Sequence, residues 1–269
     1  MKIVDAFCFF NELDLLEVRL ETLNPVVDYF VLVEANKTQS LKDKPYYFEE
    51  NRTRYAKFLH KIIHVKVDDC PASNDGHIWR MENFQRNCIK RGLAQLQLDG
   101  RDLVLISDLD EIPNPRAIEM TSKMEDIHAL AFAMEFFCYY FNVWSPGKGW
   151  VGTVMARREI LDHVEPQELR NIKDHAPRVV NAGWHFSWLG GVDKIREKLL
   201  SCIEPFDKST VPSKEELEKR FADRVRDGGQ FNLVLSEDNS VPLALVKENE
   251  LVYPEFLSTH KEKFKHLFV

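Results

Sequence analysis

The sequence predicts an α/β fold on a mostly parallel sheet, and three observations lead there. Short apolar runs alternate with helical patterns through the first half of the chain. That rhythm of strand, helix, strand, helix predicts a parallel sheet covered on both faces. The 269 residues, 44% of them hydrophobic and 18 of them Phe, hold ample material for a core.

Residues Lys2–Phe10 form the first strand. Glu12–Leu23 carries Leu13, Leu16, Leu20 and Leu23 at helical spacing, with Asn11 as its expected N-cap. YFVLVEA (Tyr29–Ala35) is the second strand, Tyr47–Leu59 a helix, and KIIHVKV (Lys61–Val67) the third strand. His77–Leu98 is expected as the longest helix, with Ile78, Met81, Phe84, Cys88, Ile89, Leu93 and Leu96 in one stripe. LVLIS (Leu103–Ser107) is the fourth strand, and Pro113 and Pro115 precede a short helix at Asn114–Lys123. Ala129–Phe137 reads as a central strand, Trp150–Arg157 and Val179–Phe186 as further strands. Val192–Cys202 and Lys214–Arg226 read as helices, Asp227-Gly228-Gly229 as a break, and His260–His266 as a basic tail segment. One α/β domain with a C-terminal helical elaboration is the economical organisation.

A net charge of -7 argues against a general nucleic-acid partner, because phosphate attraction needs a basic face. The five cysteines lack CxxC spacing and read as free thiols of a reducing compartment. The N-terminus lacks a signal-peptide pattern, and no apolar run has the length of a membrane span. The expected location is cytoplasmic.

In an open parallel sheet, ligands bind beyond the carboxyl ends of the strands. Those ends deliver Asn11 and Glu12, then Glu34, then Asp68 and Asp69, then Ser107, Asp108, Asp110 and Glu111. Packed like charges persist most easily when a cation or polar ligand sits among them. In LVLISDLDEIP, Asp108 and Asp110 are alternate residues of an extended segment and can face one divalent ion. Their hard oxygens suit Mg²⁺ or Mn²⁺, which keep positions open for phosphate oxygens. A solvated acidic turn would carry the same letters; the position at the end of a core strand is what argues for function.

A second cluster is GWHFSW followed by Gly190-Gly191. Its small residues let backbone approach a ligand closely, and neutral His185 is a suitable third ligand for Mn²⁺. A satisfied core histidine is the alternative. Arg86 lies near an apolar stripe, where an Arg pairs with a phosphate or a buried carboxylate. Lys194, Arg196 and Lys198 follow the GWHFSW segment and either neutralise a diphosphate or form a wet helix face. The tryptophans, Trp184 among them, offer a sugar-stacking platform or plain core packing.

The blocks FNELDLLEVRLETL, VVDYFVLVEANKTQS, WRMENFQRN, SDLDEIPNP and AGWHFSWLGG resemble glycosyltransferase family 17, in the family's order, from Met1 to about Cys202. The resemblance implies a GT-A type, Rossmann-like fold with a nucleotide-binding half (1–112), an acceptor and metal-ligand half (113–205) and an extension (206–269). It implies inverting transfer of a sugar, GlcNAc foremost, from a UDP-sugar to a hydroxyl of a glycan or glycoconjugate. Asp108, Asp110 and His185 become metal ligands for Mn²⁺ or Mg²⁺. Glu12, Glu34 and Arg86 fall at nucleotide-side positions of the motif blocks; Asn11, Asp108, Trp184 and Lys198 are further nucleotide-side candidates from the strand ends, the GWH cluster and the helix after it. Inversion in one displacement needs one base, and Asp193, Glu135 and Asp174 compete for that role.

Two other classes share these features. A strand ending in DxD also opens haloacid-dehalogenase-like phosphohydrolases, where the first Asp is the nucleophile; that pattern wants Thr or Val where this chain has Ile112. A non-catalytic sugar-binding module is the third class.

Overall fold

The computed structural model describes residues 1–73, 77, 79–125, 128–201, 211–224, 230–231, 243–245 and 253–269. They form two compact units, one of Met1–Met134 and Val151–Gly183, the other of Glu135–Trp150 and Trp184–Val269. The division does not follow the linear boundaries at 112 and 205, because each unit is assembled from two stretches of chain.

The first unit runs through β1 (Ile3–Phe9), α1 (Leu13–Leu23), β2 (Tyr29–Ala35), α2 (Tyr47–Glu50), β3 (Ile62–Val67), α3 (Arg80–Asn87), α4 (Ile89–Leu93), β4 (Leu103–Asp108), β5 (Glu111–Pro113) and α5 (Pro115–Thr121). Next come β6 (Ala129–Cys138) and β7 (Val143–Arg157), each with residues in both units, then α6 (Pro166–Asn171), β8 (Arg178–Val179) and β9 (Gly183–Ser187). The strand order is β3-β2-β1-β4-β7-β6. β1 pairs in parallel with β2 and β4, and β2 with β3. β7 runs antiparallel to β4, and β8 runs parallel to β6.

Successive strand residues point to opposite faces, so each strand feeds two cores. Phe7 and Phe9 pack with Leu16, Leu20, Phe48 and Ile118 from α1, α2 and α5. Val4 and Ala6 pack on the other side with Met81, Ile89, Leu93 and Leu169 from α3, α4 and α6. A mostly parallel sheet flanked by helices is therefore what the sequence builds, with antiparallel β7 as its main departure.

Several elements differ locally from expectation. Glu12, not Asn11, occupies the N-cap of α1, and no side chain caps that end. The helix expected over Tyr47–Leu59 is one α-helical turn followed by a 3₁₀ segment, Arg52–Phe58. Asn51 causes the change: its Nδ2 donates to Tyr47 O at 2.8 Å and its backbone leaves the helical region. The long helix over His77–Leu98 is broken between α3 and α4. Cys88 N–H is shared between Phe84 O and Gln85 O, both at 3.1 Å, which tightens the turn there. Ile78 lies outside the described residues. The strand expected over Val179–Phe186 splits into β8 and β9 at Asn181, whose left-handed backbone (φ 52) a short polar side chain tolerates.

Gly183 opens β9 immediately beside β5. A Cβ there would lie 2.3 Å from Ile112 O and 2.9 Å from Pro113 Cα. Both obstacles are backbone, so Gly183→Ala is expected to cost about 1–3 kcal/mol as an overpacked site. Urea denaturation checks this; an unchanged midpoint would show that β5 yields freely.

The second unit adds α7 (Gly191–Ser201), α8 (Lys214–Arg224), β10 (Gln230–Phe231), β11 (Leu243–Leu245), α9 (Glu255–Thr259) and a 3₁₀ segment, Lys261–Leu267. Within it β9 pairs in parallel with β6, and β11 pairs antiparallel with Val143 and Trp144 of β7. Phe136, Val143, Ile195 and Leu199 make one core cluster. A second is aromatic: Phe141 meets Phe186 at 4.9 Å and Phe268 at 5.5 Å, and Phe137 meets Tyr253 at 5.8 Å. Asn142 anchors the last residue by donating to Val269 O and accepting from its N–H. The tail is thus core material of this unit. Cys202, the end expected at Arg226 and the break at Asp227–Gly229 lie outside the described residues.

Candidate active site

The parallel register puts the carboxyl ends of β1 to β4 on one edge of the first unit. The carboxylates expected there are present, and for Glu34, Asp69, Asp108 and Glu111 the chain supplies counter-cations itself. Asp69 takes two 2.7 Å bonds from Arg91. Glu34 is fully buried and accepts from Lys44 Nζ and Phe48 N–H at 3.3 Å, with His64 Nε2 at 3.1 Å. Burial pushes the Lys44 amine below its ordinary value, against the opposing pull of Glu34. Asn11 N–H donates to Glu12 Oε2 at 3.0 Å at the end of β1.

The acidic loop between β4 and β5 is built around two arginines. Arg86 Nη2 donates to Asp108 Oδ1 at 2.7 Å, and Arg170 Nη2 to Asp108 Oδ2 at 3.1 Å. Arg170 also bonds Glu111, which is fully buried, and Gly152 O. Glu111 Oε2 in turn accepts Asp108 N–H at 3.1 Å. Arg86 is steadied by Glu82 at 2.8 Å and by Gln167. Burial pushes the Asp108 carboxyl up, but Arg86 and Arg170 outweigh it and hold the group well below the usual carboxylate range. Burial, with Arg170 adding to it, lowers the amine of Lys173.

Asp108's depressed pKa fixes a sign. A carboxylate with a lower pKa when folded stabilises fully above its unfolded value, about 4, and loses that contribution as pH falls below it. Its side chain is 37% exposed, so solvent screens part of the effect. The melting temperature should therefore decline as pH drops from about 5, and Asp108→Asn should flatten part of that decline. Parallel acid limbs for both proteins would remove Asp108 from the account.

Beneath the same loop lies a pair the sequence reading passed over. Arg19 of α1 and Asp5 of β1 are both fully buried. Arg19 Nε and Nη2 donate to the two Asp5 oxygens at 2.8 and 2.6 Å. Nη2 also bonds Ser107 Oγ, and Nη1 reaches Asp108 O and Leu109 O at 3.0 Å and Glu111 O at 2.7 Å. Two signals were available: a charged residue inside the apolar strand IVDAFCF, and an Arg on the apolar stripe between Leu16 and Leu23. Arg170 had no such signal.

Of the other expected site residues, Glu135, Trp184, His185, Asp193 and Lys198 belong to the second unit and Asp174 to the first. Glu135 Oε2 accepts Trp144 Nε1–H at 2.8 Å, and Glu135 is in register with buried Trp184. His185 is buried, its ring 4.4 Å from that of Trp150 and 5.2 Å from that of Phe136. Asp193 is exposed on α7 and pairs with Lys214 at 2.7 Å. Lys198 Nζ sits 5.1 Å over the Trp188 ring. Asp174 is exposed.

Among the described residues, no three His, Cys, Asp or Glu side chains gather as a metal cage. Both Asp108 oxygens are bonded to guanidinium groups, so a second hard cation on that carboxylate would face two positive charges. Mg²⁺-type ions commonly take one or two carboxylates and complete their shell with water and substrate phosphate. Asp110, half-buried on the same loop, fits such a substrate-completed site.

Parallel strands with an arginine-braced acidic loop at their carboxyl edge define an α/β protein whose candidate site lies beyond the strand ends. Comparison with known proteins gives the particular family. The chain belongs to glycosyltransferase family 17, whose pattern matches residues 1–225. It is 25% identical over 300 residues to the rat β-1,4-mannosyl-glycoprotein 4-β-N-acetylglucosaminyltransferase, covering 99% of this chain and 54% of that protein. The human enzyme of the same name is 27% identical over 230 residues, covering 75% of this chain and 43% of its own. The chain thus spans about half the length of these relatives. Among solved structures, HddC from Yersinia pseudotuberculosis superposes with a TM-score of 0.41 at 11% identity, over 68% of this chain and 92% of that one. A glycosyltransferase involved in glycosylation of the major capsid of PBCV-1 superposes at 0.31 and 13%, over 66% and 68%.

Proposed function

We propose that this chain transfers a sugar, GlcNAc foremost, from a UDP-sugar to a hydroxyl of a glycan or glycoconjugate acceptor, with inversion at the anomeric carbon. Family membership supports the class of reaction, and the name of the relatives supports the sugar. The observation that carries the reading is the braced acidic loop at the end of β4. Arg86, Arg170 and the Arg19–Asp5 pair fix its backbone and keep Asp108 ionised, so the donor meets a loop that need not reorganise.

In this reading Asp110 would hold Mn²⁺ or Mg²⁺, with Asp108 beside it; His185 stays a ligand candidate that rests on the family's GWH block alone. When bound, the ion stabilises the charge that develops on a leaving diphosphate. Asn11, Glu12, Trp184 and Lys198 stay proposed nucleotide-side groups. Glu34 and Arg86 act from within, through Lys44 and Asp108, because their partners are protein groups. Glu135 is placed ahead of Asp193 as base: it is half-buried and oriented by an indole N–H, whereas Asp193 is 72% exposed in a surface ion pair. The cytoplasmic location expected from the scattered thiols belongs to this proposal. The rival phosphohydrolase needs Asp108 as nucleophile, yet both its oxygens are bonded to arginines.

A thermal-shift panel of UDP-, GDP- and CDP-sugars, with and without Mn²⁺, tests the reading. A ligand that binds only the native state raises its apparent stability by RT ln(1 + [L]/Kd). Stabilisation by UDP-GlcNAc that depends on Mn²⁺, followed by UDP release on adding acceptor, is expected. Indifference to every nucleotide sugar overturns it.

A further inference from the structure

We propose that Arg19, with Asp5 as its counter-ion, is the positioning residue that sets the shape of the acidic loop, acting on the loop's backbone and not on any ligand. The proposal rests on the glycosyltransferase reading for its catalytic consequence alone; the geometry stands by itself.

Three features set the pair apart from an ordinary buried ion pair. First, its donors converge on one short segment. Arg19 bonds Ser107 Oγ and the carbonyls of Asp108, Leu109 and Glu111, so four of the five residues from 107 to 111 are tied to one guanidinium group. Only a planar fork spans that set; a lysine amine is a compact point donor and cannot. Second, the two partners come from different elements. Asp5 sits in β1, in register with Leu105 of β4, and Arg19 rides on α1, which packs on the same face. Strand, helix and loop are thereby held at one point. Third, the Arg19–Asp5 attraction by itself does not explain the choice. A buried ion pair is commonly matched or bettered by apolar residues of similar volume, because desolvation offsets most of the attraction. The surroundings are already apolar: the Phe7 ring lies 4.5 Å from the Arg19 guanidinium carbon.

The consequence is division of labour. Arg86 and Arg170 hold the Asp108 side chain, and Arg19 holds the main chain from which Asp108 and Asp110 project. With the carbonyls fastened below, the carboxylates keep one direction as a donor diphosphate arrives and leaves. Misplacement of reacting groups by about 1 Å costs about 100-fold in rate.

Two variants test this. Arg19→Lys keeps a cation for Asp5 but abandons the loop carbonyls. The double variant Asp5→Leu/Arg19→Met replaces the pair with apolar groups. Hydrogen exchange is followed at the amides of residues 108–112 and, as reference, at the central amides of β1 and β2. Faster exchange by about tenfold or more in the loop, with reference strands unchanged, is expected in both folded variants. Unaltered loop exchange, a uniform rise across the sheet, or failure of both variants to fold overturns the positioning role. This readout needs no substrate, so it is independent of the functional reading. If the wild type transfers from UDP-GlcNAc, kcat should fall by about 100-fold in both variants with donor KM within about threefold. Wild-type inactivity on every nucleotide sugar sinks the functional reading and leaves the exchange result standing. Loop loosening with undiminished kcat overturns the catalytic consequence.

Discussion

Under the proposed function, Asp110→Ala should lower kcat for transfer from UDP-GlcNAc by about 10²–10³ or more while the fold survives. The expectation follows from how the loop is built. Arg19 fastens the carbonyls of Asp108, Leu109 and Glu111, and Arg86 and Arg170 fasten the Asp108 carboxylate. The Asp110 side chain is half-buried on the same loop. Truncating it removes a hard oxygen donor and leaves the brace in place. The melting temperature should stay within a few degrees of wild type, and Mn²⁺ should no longer enhance UDP binding. Asp108→Ala makes the contrasting case, since it strips the shared counter-ion from two buried arginines and should destabilise as well as inactivate. Full transfer activity in folded Asp110→Ala would take that carboxylate out of the chemistry and the metal proposal with it.

Arg170→Met should be strongly destabilising, by about 3–5 kcal/mol. Glu111 is fully buried, and Arg170 is a cation bonded to it. Removing that cation takes a counter-ion from a buried carboxylate, where the penalty includes the desolvated charge and not merely a lost contact. Arg170 also bonds Gly152 O and Asp108 Oδ2, so β7 and the acidic loop loosen together. In a chain of this length the loss corresponds to a melting shift of roughly 10 °C. Adding Glu111→Leu should recover much of it, because the orphaned charge is then gone. A melting point within about 2 °C of wild type would mean that water reaches Glu111 and that the pair is not a dry one.

These two residues mark how unevenly the site was legible. Asp108 and Asp110 were visible because an apolar strand running into DxD is a local pattern, and the register of β4 beside β1 then puts them at the carboxyl edge of the sheet. Arg86 was visible as a cation near an apolar stripe, and its partner proved to be the Asp108 carboxylate. Arg170 was not visible. It lies in a short helix with no periodic signal, 62 residues from the carboxylate it binds. The acidic edge was anticipated, but the expectation that an outside cation relieves its repulsion was incomplete. Lys44, Arg91, Arg86 and Arg170 already neutralise Glu34, Asp69, Asp108 and Glu111. Helices were misjudged where a single residue redirected the backbone. Asn51 and Cys88 each convert an α-turn to a tighter one, an effect that averages out of any hydrophobic stripe.

The sequence by itself determined the α/β class, the order of strands and crossover helices, and the position of the DxD pair. Those depend on alternation, apolar run length and strand–helix rhythm, all of them properties of neighbours in the chain. Tertiary structure alone decided which cation meets which carboxylate, that the tail from Tyr253 to Val269 is core material, and that a fully buried Arg19 shapes the acidic loop. Each of those pairs residues far apart in the chain. Such partners are selected by the shared need of buried polar groups for hydrogen bonds, a need that no local window records.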